Sequence, residues 1–272
     1  MSTSVSTPKL YAGANILSVV LALVLNYLAV SLPLNNRTTG ELSDMYPNFF
    51  VPAGFTFSIW GVIYLLLLVF MIYQAVGVAR SHVATTAIVT AIGPWFFFSG
   101  VANAAWIIAW HYEAVVISVL IMLFLLYSLI RIYLAVADLG DTGLWDKLMI
   151  RAPFSVYLGW ISVATIANFT TLYVSMGWQT GGHVWAVIMV IIATLLAIIM
   201  VFVRQDVFYM SVIIWALFGI YSKQAGSSQD GASSVAVVAK YAMTLLTVFA
   251  VLIVIGKKTY FSPRGPEAKE KA

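Results

Sequence analysis

The sequence has no cysteine and very little charge. Only 9% of its 272 residues are charged, whereas a soluble globular domain averages about 25%. Too few charged side chains are therefore present to cover a surface that faces water. The lack of cysteine excludes thiol chemistry, iron–sulfur clusters and thiolate zinc sites. The rest is 62% hydrophobic, which is typical of a membrane protein.

Long apolar runs take up most of the chain. A membrane-crossing helix needs about 20 mostly apolar residues, and eight runs approach or exceed this length. They cover residues 11–33, 52–77, 84–110, 114–136, 150–176, 183–203, 207–221 and 234–255. The predicted fold class is therefore all-α, a polytopic membrane helical bundle with about eight transmembrane helices.

The positions of the basic residues predict how this bundle lies in the membrane. With eight spans and a cytoplasmic N-terminus, all but three of the 14 lysines and arginines fall on the cytoplasmic side. The exceptions are Arg37, Lys223 and Lys240. This distribution follows the positive-inside rule, so the net charge of +4 gives no reason to expect a nucleic-acid partner. We expect an integral protein of the cell (plasma) membrane with both termini in the cytoplasm.

The predicted span interiors contain almost no ionisable side chains. Glu113, Lys240 and the histidines at 82, 111 and 183 all fall near span ends. The sequence shows no carboxylate pair for acid–base work, no histidine cluster for a metal and no Ser–His–Asp arrangement. An ion-coupled pump and a hydrolase are both disfavoured, and we predict neither catalytic residues nor a metal site.

Aromatic and amide side chains are abundant instead, with 9 Trp, 14 Tyr and 16 Phe. At about 100° per residue, Tyr157, Trp160, Ala164 and Asn168 share one stripe of the fifth span. Such a stripe suits a flat apolar ligand with one polar anchor. Helix packing at Ala164, with Asn168 bonding across helices, is the alternative, and periodicity by itself favours it.

Two other spans carry similar pairs. Trp60 and Tyr64 share a face of the second span, and Asn103 and Trp106 share a face of the third. For each asparagine taken alone, a hydrogen bond between helices is the simpler interpretation.

Together these stretches resemble the tryptophan-rich sensory protein family (TspO, the translocator or peripheral benzodiazepine receptor family). The matching positions, in the family's order, are Pro52, Trp60, Tyr64, Asn103, Trp106, Tyr157, Trp160, Ala164 and Asn168. The sequence departs from the family pattern at Ser58, where a proline is expected, and at Ser99, where a glutamine is expected. Three spans also follow the fifth, where ordinary members end.

The resemblance implies a domain organisation and a binding site. It implies a five-helix bundle over residues 1–176, and the apolar runs and charges beyond it predict three additional transmembrane helices over 177–256 and a charged cytoplasmic tail over 257–272. It implies a ligand pocket lined by Trp60, Tyr64, Asn103, Trp106, Tyr157, Trp160, Ala164 and Asn168. It further implies a lid formed by Tyr46, Phe49 and Phe50 in the loop between the first two spans.

The function implied by the resemblance is binding of a planar hydrophobic ligand, either a porphyrin or haem-type tetrapyrrole or a sterol-like molecule. The protein would act as a sensor, regulator or carrier. We expect no required cofactor, although porphyrin or haem is a possible bound ligand. The expected partners are membrane lipid, a small hydrophobic ligand and a second copy of the chain in a homodimer.

Three other hypotheses remain open. A secondary transporter or permease for a small hydrophobic or neutral solute is suggested by the eight spans and by a faint likeness between residues 57–64 and 214–221. A porphyrin-degrading enzyme has been proposed within the family, and here only Trp60 and Trp160 support it. The third hypothesis is a subunit that docks a partner protein through glycine and alanine faces.

Overall fold

Helices make up most of the computed structural model, which describes residues 7–32, 34–137, 145, 147–178 and 181–256. The predicted tail over 257–272 lies outside these described residues. The helices are α1 (Thr7–Ser31), α2 (Thr39–Asp44), α3 (Ile59–Ala79), α4 (Val83–Ile92), α5 (Trp95–His111), α6 (Val115–Ala137), α7 (Ala152–Ser175), α8 (Gly182–Arg204), α9 (Val207–Ala225) and α10 (Ala232–Gly256). Short 3₁₀ turns at Leu34–Asn36 and Gly54–Ser58 and a π turn at Lys147–Arg151 complete the elements.

Seven of these helical segments are long and apolar enough to cross a membrane, and the count becomes eight if α4 and α5 form one broken span. The predicted all-α, polytopic fold class is confirmed. The third span differs in detail, because the continuous run predicted over 84–110 is bent by 54° between α4 and α5. Gly93 has a φ of +59° there, and Pro94 follows it without a backbone N–H to continue the helix.

Helix α7 lies at the centre of the bundle. It packs against α6, α3 and α9, and 72% of its apolar window is buried, the highest share among the unbroken spans. Gly159 allows α9 to come close, since a Cβ atom at this position would stand 3.1 Å from Cβ of Val212. The first five spans and the C-terminal helices therefore meet at α7.

The loop between α1 and α3 folds over one end of the bundle. Its short helix α2 begins with a capping box, in which the Thr38 hydroxyl accepts from the Glu41 N–H and the Glu41 carboxylate accepts from the Thr38 N–H. These two bonds pair backbone donors that an isolated helix end would leave open. The loop, residues 34–51, is called the lid loop below.

Candidate functional site

Aromatic rings from α3 and α7 meet inside the bundle. The Trp60 ring centroid lies 5.9 Å from that of Tyr157 and 6.4 Å from that of Trp160, both in edge-on contact. Phe57, just before α3, places its ring edge-on to Trp160 at 6.0 Å. These separations fall in the range that aromatic pairs prefer. Trp60, Tyr157, Trp160 and Phe57, together with Tyr64 and Trp106, form what we call the aromatic cluster.

A row of stacked rings continues from this cluster to the lid loop. Tyr64 stacks on Trp60 at 5.5 Å, Trp60 on Trp106 at 6.5 Å and Trp106 on Trp110 at 5.7 Å, with interplanar angles of 21°, 28° and 18°. Tyr46 of the lid loop lies beside Trp110 at 6.5 Å. The row therefore connects the bundle interior with the end that the lid loop covers.

Asn103 is the first of the two predicted amides, and it is almost fully buried. Its Oδ1 atom accepts a hydrogen bond from Nδ2 of Asn26 at 2.9 Å and another from the Tyr64 hydroxyl at 3.3 Å. One carbonyl on α5 thus joins α1 and α3 at the level of the aromatic cluster.

Asn168 on α7 is buried as well and bonds to other helices. Its Oδ1 atom accepts from the Ser118 hydroxyl at 2.9 Å and from Nε1 of Trp106 at 3.4 Å. Its Nδ2 atom donates to the carbonyl of Ala164 at 3.4 Å. Asn168 therefore makes the interhelical bonds that the packing interpretation predicted, while it also orients a ring of the cluster.

Asn103 Nδ2 is a buried donor without an acceptor among the described residues, and Trp160 has such a donor as well. Trp160 is 3% exposed, and among the described residues its Nε1 has no hydrogen-bond acceptor. Leaving a buried donor unpaired costs about 1–3 kcal/mol. The site thus contains two open N–H donors, Nε1 of Trp160 and Nδ2 of Asn103.

The three predicted lid residues take different positions. Phe50 is completely buried in the main core, and Phe49 packs edge-on to His183 of α8 at 6.1 Å. The Tyr46 hydroxyl donates to the Glu113 carboxylate at 3.3 Å, and Arg37 pairs with the same carboxylate at 2.9 Å. Burial and the Glu113 charge raise the pKa of Tyr46, which keeps its hydroxyl a donor.

Sequence reasoning missed several residues that the structure brings to the site or its surroundings. Phe57 and Trp110 extend the aromatic cluster and the stacked row but were not among the predicted site residues, although Trp110 lies one helical turn beyond Trp106 in the sequence. Asp206, at the start of α9, is the buried acid that the search of the span interiors overlooked. It accepts from the Ser155 hydroxyl at 2.6 Å and the Tyr133 hydroxyl at 2.8 Å.

The predicted site residues are aromatic rings, two amides and one alanine, and this chemistry suits stacking and hydrogen bonding. Among the residues that the structure describes, no group of three or more His, Asp or Glu side chains is placed to hold a metal ion. The site residues present ring faces and edges and two buried N–H donors that have no acceptor among the described residues, Nε1 of Trp160 and Nδ2 of Asn103.

These features define the class of the protein, an integral membrane protein built as a helical bundle with a buried aromatic–amide cluster. A family model described as TSPO-like protein matches residues 12–255. The chain therefore belongs to the TSPO-like protein family, and the predicted family membership is confirmed. The match extends from α1 to α10 and is not confined to the first five spans. Comparisons with curated proteins and with solved structures give no match.

Proposed function

We propose that the protein binds a planar hydrophobic molecule in the aromatic cluster, either a porphyrin or haem-type tetrapyrrole or a sterol-like compound. The single observation that carries the proposal is the buried Nε1 donor of Trp160, which has no acceptor among the described residues. A ligand carboxylate, carbonyl or hydroxyl oxygen would pair with this donor and remove the cost of leaving it open. The surrounding rings would supply stacking area.

In this proposal the protein acts as a sensor, regulator or carrier and performs no chemistry on the ligand. The stacked row from Tyr64 to Trp110 is a continuous line of ring contacts from the cluster to the end that the lid loop covers, and this is the end from which we propose that the ligand enters. We also propose a cell-membrane location with both termini in the cytoplasm. The distribution of lysines and arginines along the chain supports this orientation.

A titration of detergent-solubilised protein with protoporphyrin, followed by quenching of tryptophan fluorescence, tests the binding proposal. We expect saturable quenching in the parent protein. Trp160→Ala should weaken binding about thirtyfold, because it removes both the central ring and the donor. Trp178→Ala is the matched control, since Trp178 is 60% exposed and packs on Tyr173 outside the cluster.

The outcomes separate a site from partition into micelles. Saturable quenching that is retained in Trp178→Ala and lost in Trp160→Ala supports the proposal. Linear quenching in all three proteins, or equal affinity of the Trp160→Ala variant and the parent, would show that the cluster does not bind porphyrin.

A further inference from the structure

The turn before α3, residues 52–58, holds the ring of Phe57 against Trp160, and we call it the entry turn. Neither of its helix starts has a side-chain cap: Ala53, before the 3₁₀ turn, and Ser58, before α3, both lack a capping hydrogen bond. The Thr56 N–H donates to the Ala53 carbonyl at 2.9 Å and closes the turn, but this local bond does not attach the turn to the rest of the bundle. Its position depends on groups from elsewhere in the chain.

Helix α9 supplies two of those groups through hydrogen bonds to the entry turn. The Ala53 N–H donates to the carbonyl of Gly219 at 3.0 Å, and Nε1 of Trp215 donates to the carbonyl of Thr56 at 2.9 Å. The ring of Phe55 also packs edge-on to Trp215 at 5.6 Å. The C-terminal part of the chain thus binds both ends of the turn.

Close packing strengthens this attachment. A Cβ atom at Gly219 would overlap the Thr56 side chain and would stand 2.9 Å from Cβ of Pro52. Thr56 itself is fully buried. Only glycine therefore lets α9 approach the turn this closely.

The opposite side of the entry turn faces the aromatic cluster. Phe57 follows Thr56 directly and contacts Trp160, and Trp60 lies one residue into α3. A displacement of the Thr56 carbonyl therefore moves the adjoining Phe57 relative to Trp160. Helix α9 also approaches the candidate site at Gly159, next to Trp160, where a Cβ atom would stand 3.1 Å from Cβ of Val212.

We propose that Trp215 and Gly219 are positioning residues of the ligand site, and that α9 sets the geometry of the aromatic cluster by holding the entry turn. This inference rests on the proposed binding function. It gives α9 a role in the site itself, because this helix holds the turn that places Phe57 against Trp160.

The first arm of the test needs no ligand. Trp215→Phe keeps a ring and removes the N–H, so hydrogen exchange of a peptide covering residues 50–60 should become faster. Trp185→Phe is the matched control, because Trp185 also donates an indole hydrogen bond, to Thr170 at 3.1 Å, away from the turn. Unchanged exchange in Trp215→Phe would overturn the inference, whatever the protein binds.

The second arm measures protoporphyrin affinity by the same fluorescence titration. Trp215→Phe should weaken binding roughly fivefold, the effect expected of one lost hydrogen bond, and Trp185→Phe should not. In a Phe57→Leu background the effect of Trp215→Phe on affinity should vanish, since the transmitting ring is gone. A general loss of stability would instead lower affinity equally in both backgrounds, and that result would overturn the inference.

A rescue experiment tests the role of Gly219 in protoporphyrin binding. Gly219→Ala should weaken binding, and adding Thr56→Ala should restore part of it, because this change removes the side-chain atoms that the new Cβ would overlap. Lack of any rescue would contradict a positioning role for Gly219.

The outcomes also separate this inference from the proposed function. If the parent shows no saturable binding, the proposed function fails, and the positioning role, which rests on it, fails as well. Faster exchange with unchanged affinity in a parent that binds overturns this inference alone.

Discussion

At the residue scale, Asp206 is held by donors from three helices. Besides the Ser155 and Tyr133 hydroxyls, the backbone N–H of Tyr209 donates to Oδ1 of Asp206 at 3.0 Å and caps α9. Asp206 is 7% exposed. One carboxylate thus ties α6, α7 and α9 together, away from the aromatic cluster.

We predict that Asp206→Ala lowers the free energy of unfolding by about 2–3 kcal/mol, because it leaves donors unpaired and removes a helix cap. Thermal unfolding in detergent measures the loss. Asp44→Ala is the control: Asp44 pairs with Lys223 at the protein surface, and exposed pairs contribute about 1 kcal/mol or less. Equal losses in both variants would show that the Asp206 contacts do not stabilise the bundle.

Asp206 could not be predicted from the sequence because its burial depends on distant residues. In the sequence it follows Arg204 at the end of an apolar run, which is typical of an exposed charge at a membrane boundary. Tyr133 and Ser155 lie 73 and 51 positions away. The local sequence offers only a helix-start signal, an acid directly before an apolar run.

Helical periodicity predicts which α7 residues share a face, but it does not predict what that face contacts. The helical repeat places Tyr157, Trp160 and Asn168 on one side of the helix, and the structure brings this side to the rings of α3 and α5. Which helix would face the stripe, and that Trp160 Nε1 would lack an acceptor, depend on tertiary packing. The assignment of these residues to ligand binding stays a prediction.

At the scale of elements, apolar length predicts the spans well and their ends less well. The second span was predicted from residue 52 and begins at Gly54, but regular α-helix starts only at Ile59, because the preceding residues form the entry turn that α9 holds. The break at Gly93 and Pro94 has a readable signal, since Gly-Pro pairs mark turns. The length of the apolar run from 84 to 110 obscured it.

The lid loop is the element with the clearest dynamic consequence. Glu113 binds both Arg37 and Tyr46, so Glu113→Ala should free the loop at that point. We expect association and dissociation of protoporphyrin both to become about threefold faster, with little change in Kd, since the broken pair is exposed. Stopped-flow fluorescence measures both rates.

Asp230→Ala provides the control for the lid experiment, because Asp230 is an exposed acid in the connection between α9 and α10. Its rates should match those of the parent. Unchanged rates in Glu113→Ala would mean that the lid loop does not limit access to the site.

At the scale of the whole molecule, the C-terminal helices contact the first five spans at several places, and two of these contacts adjoin residues of the candidate site. Helix α9 meets α7 at Gly159 and the entry turn at Gly219, and the family match continues through these helices to residue 255. The division into residues 1–176 and 177–256 stays a prediction, as does the alternative of a permease. The contacts give α9 a place beside the site that the motif positions alone did not indicate.

The most direct test of the account is the effect of Trp160→Phe on both protoporphyrin affinity and thermal stability. The change keeps a ring and removes the unpaired N–H, so binding should weaken about tenfold while the melting temperature stays equal or rises. Trp106→Phe is the matched contrast, because its N–H is bonded to Asn168, and it should melt lower. A Trp160→Phe protein that binds as tightly as the parent, or melts as low as Trp106→Phe, would contradict a ligand-binding role for the open donor.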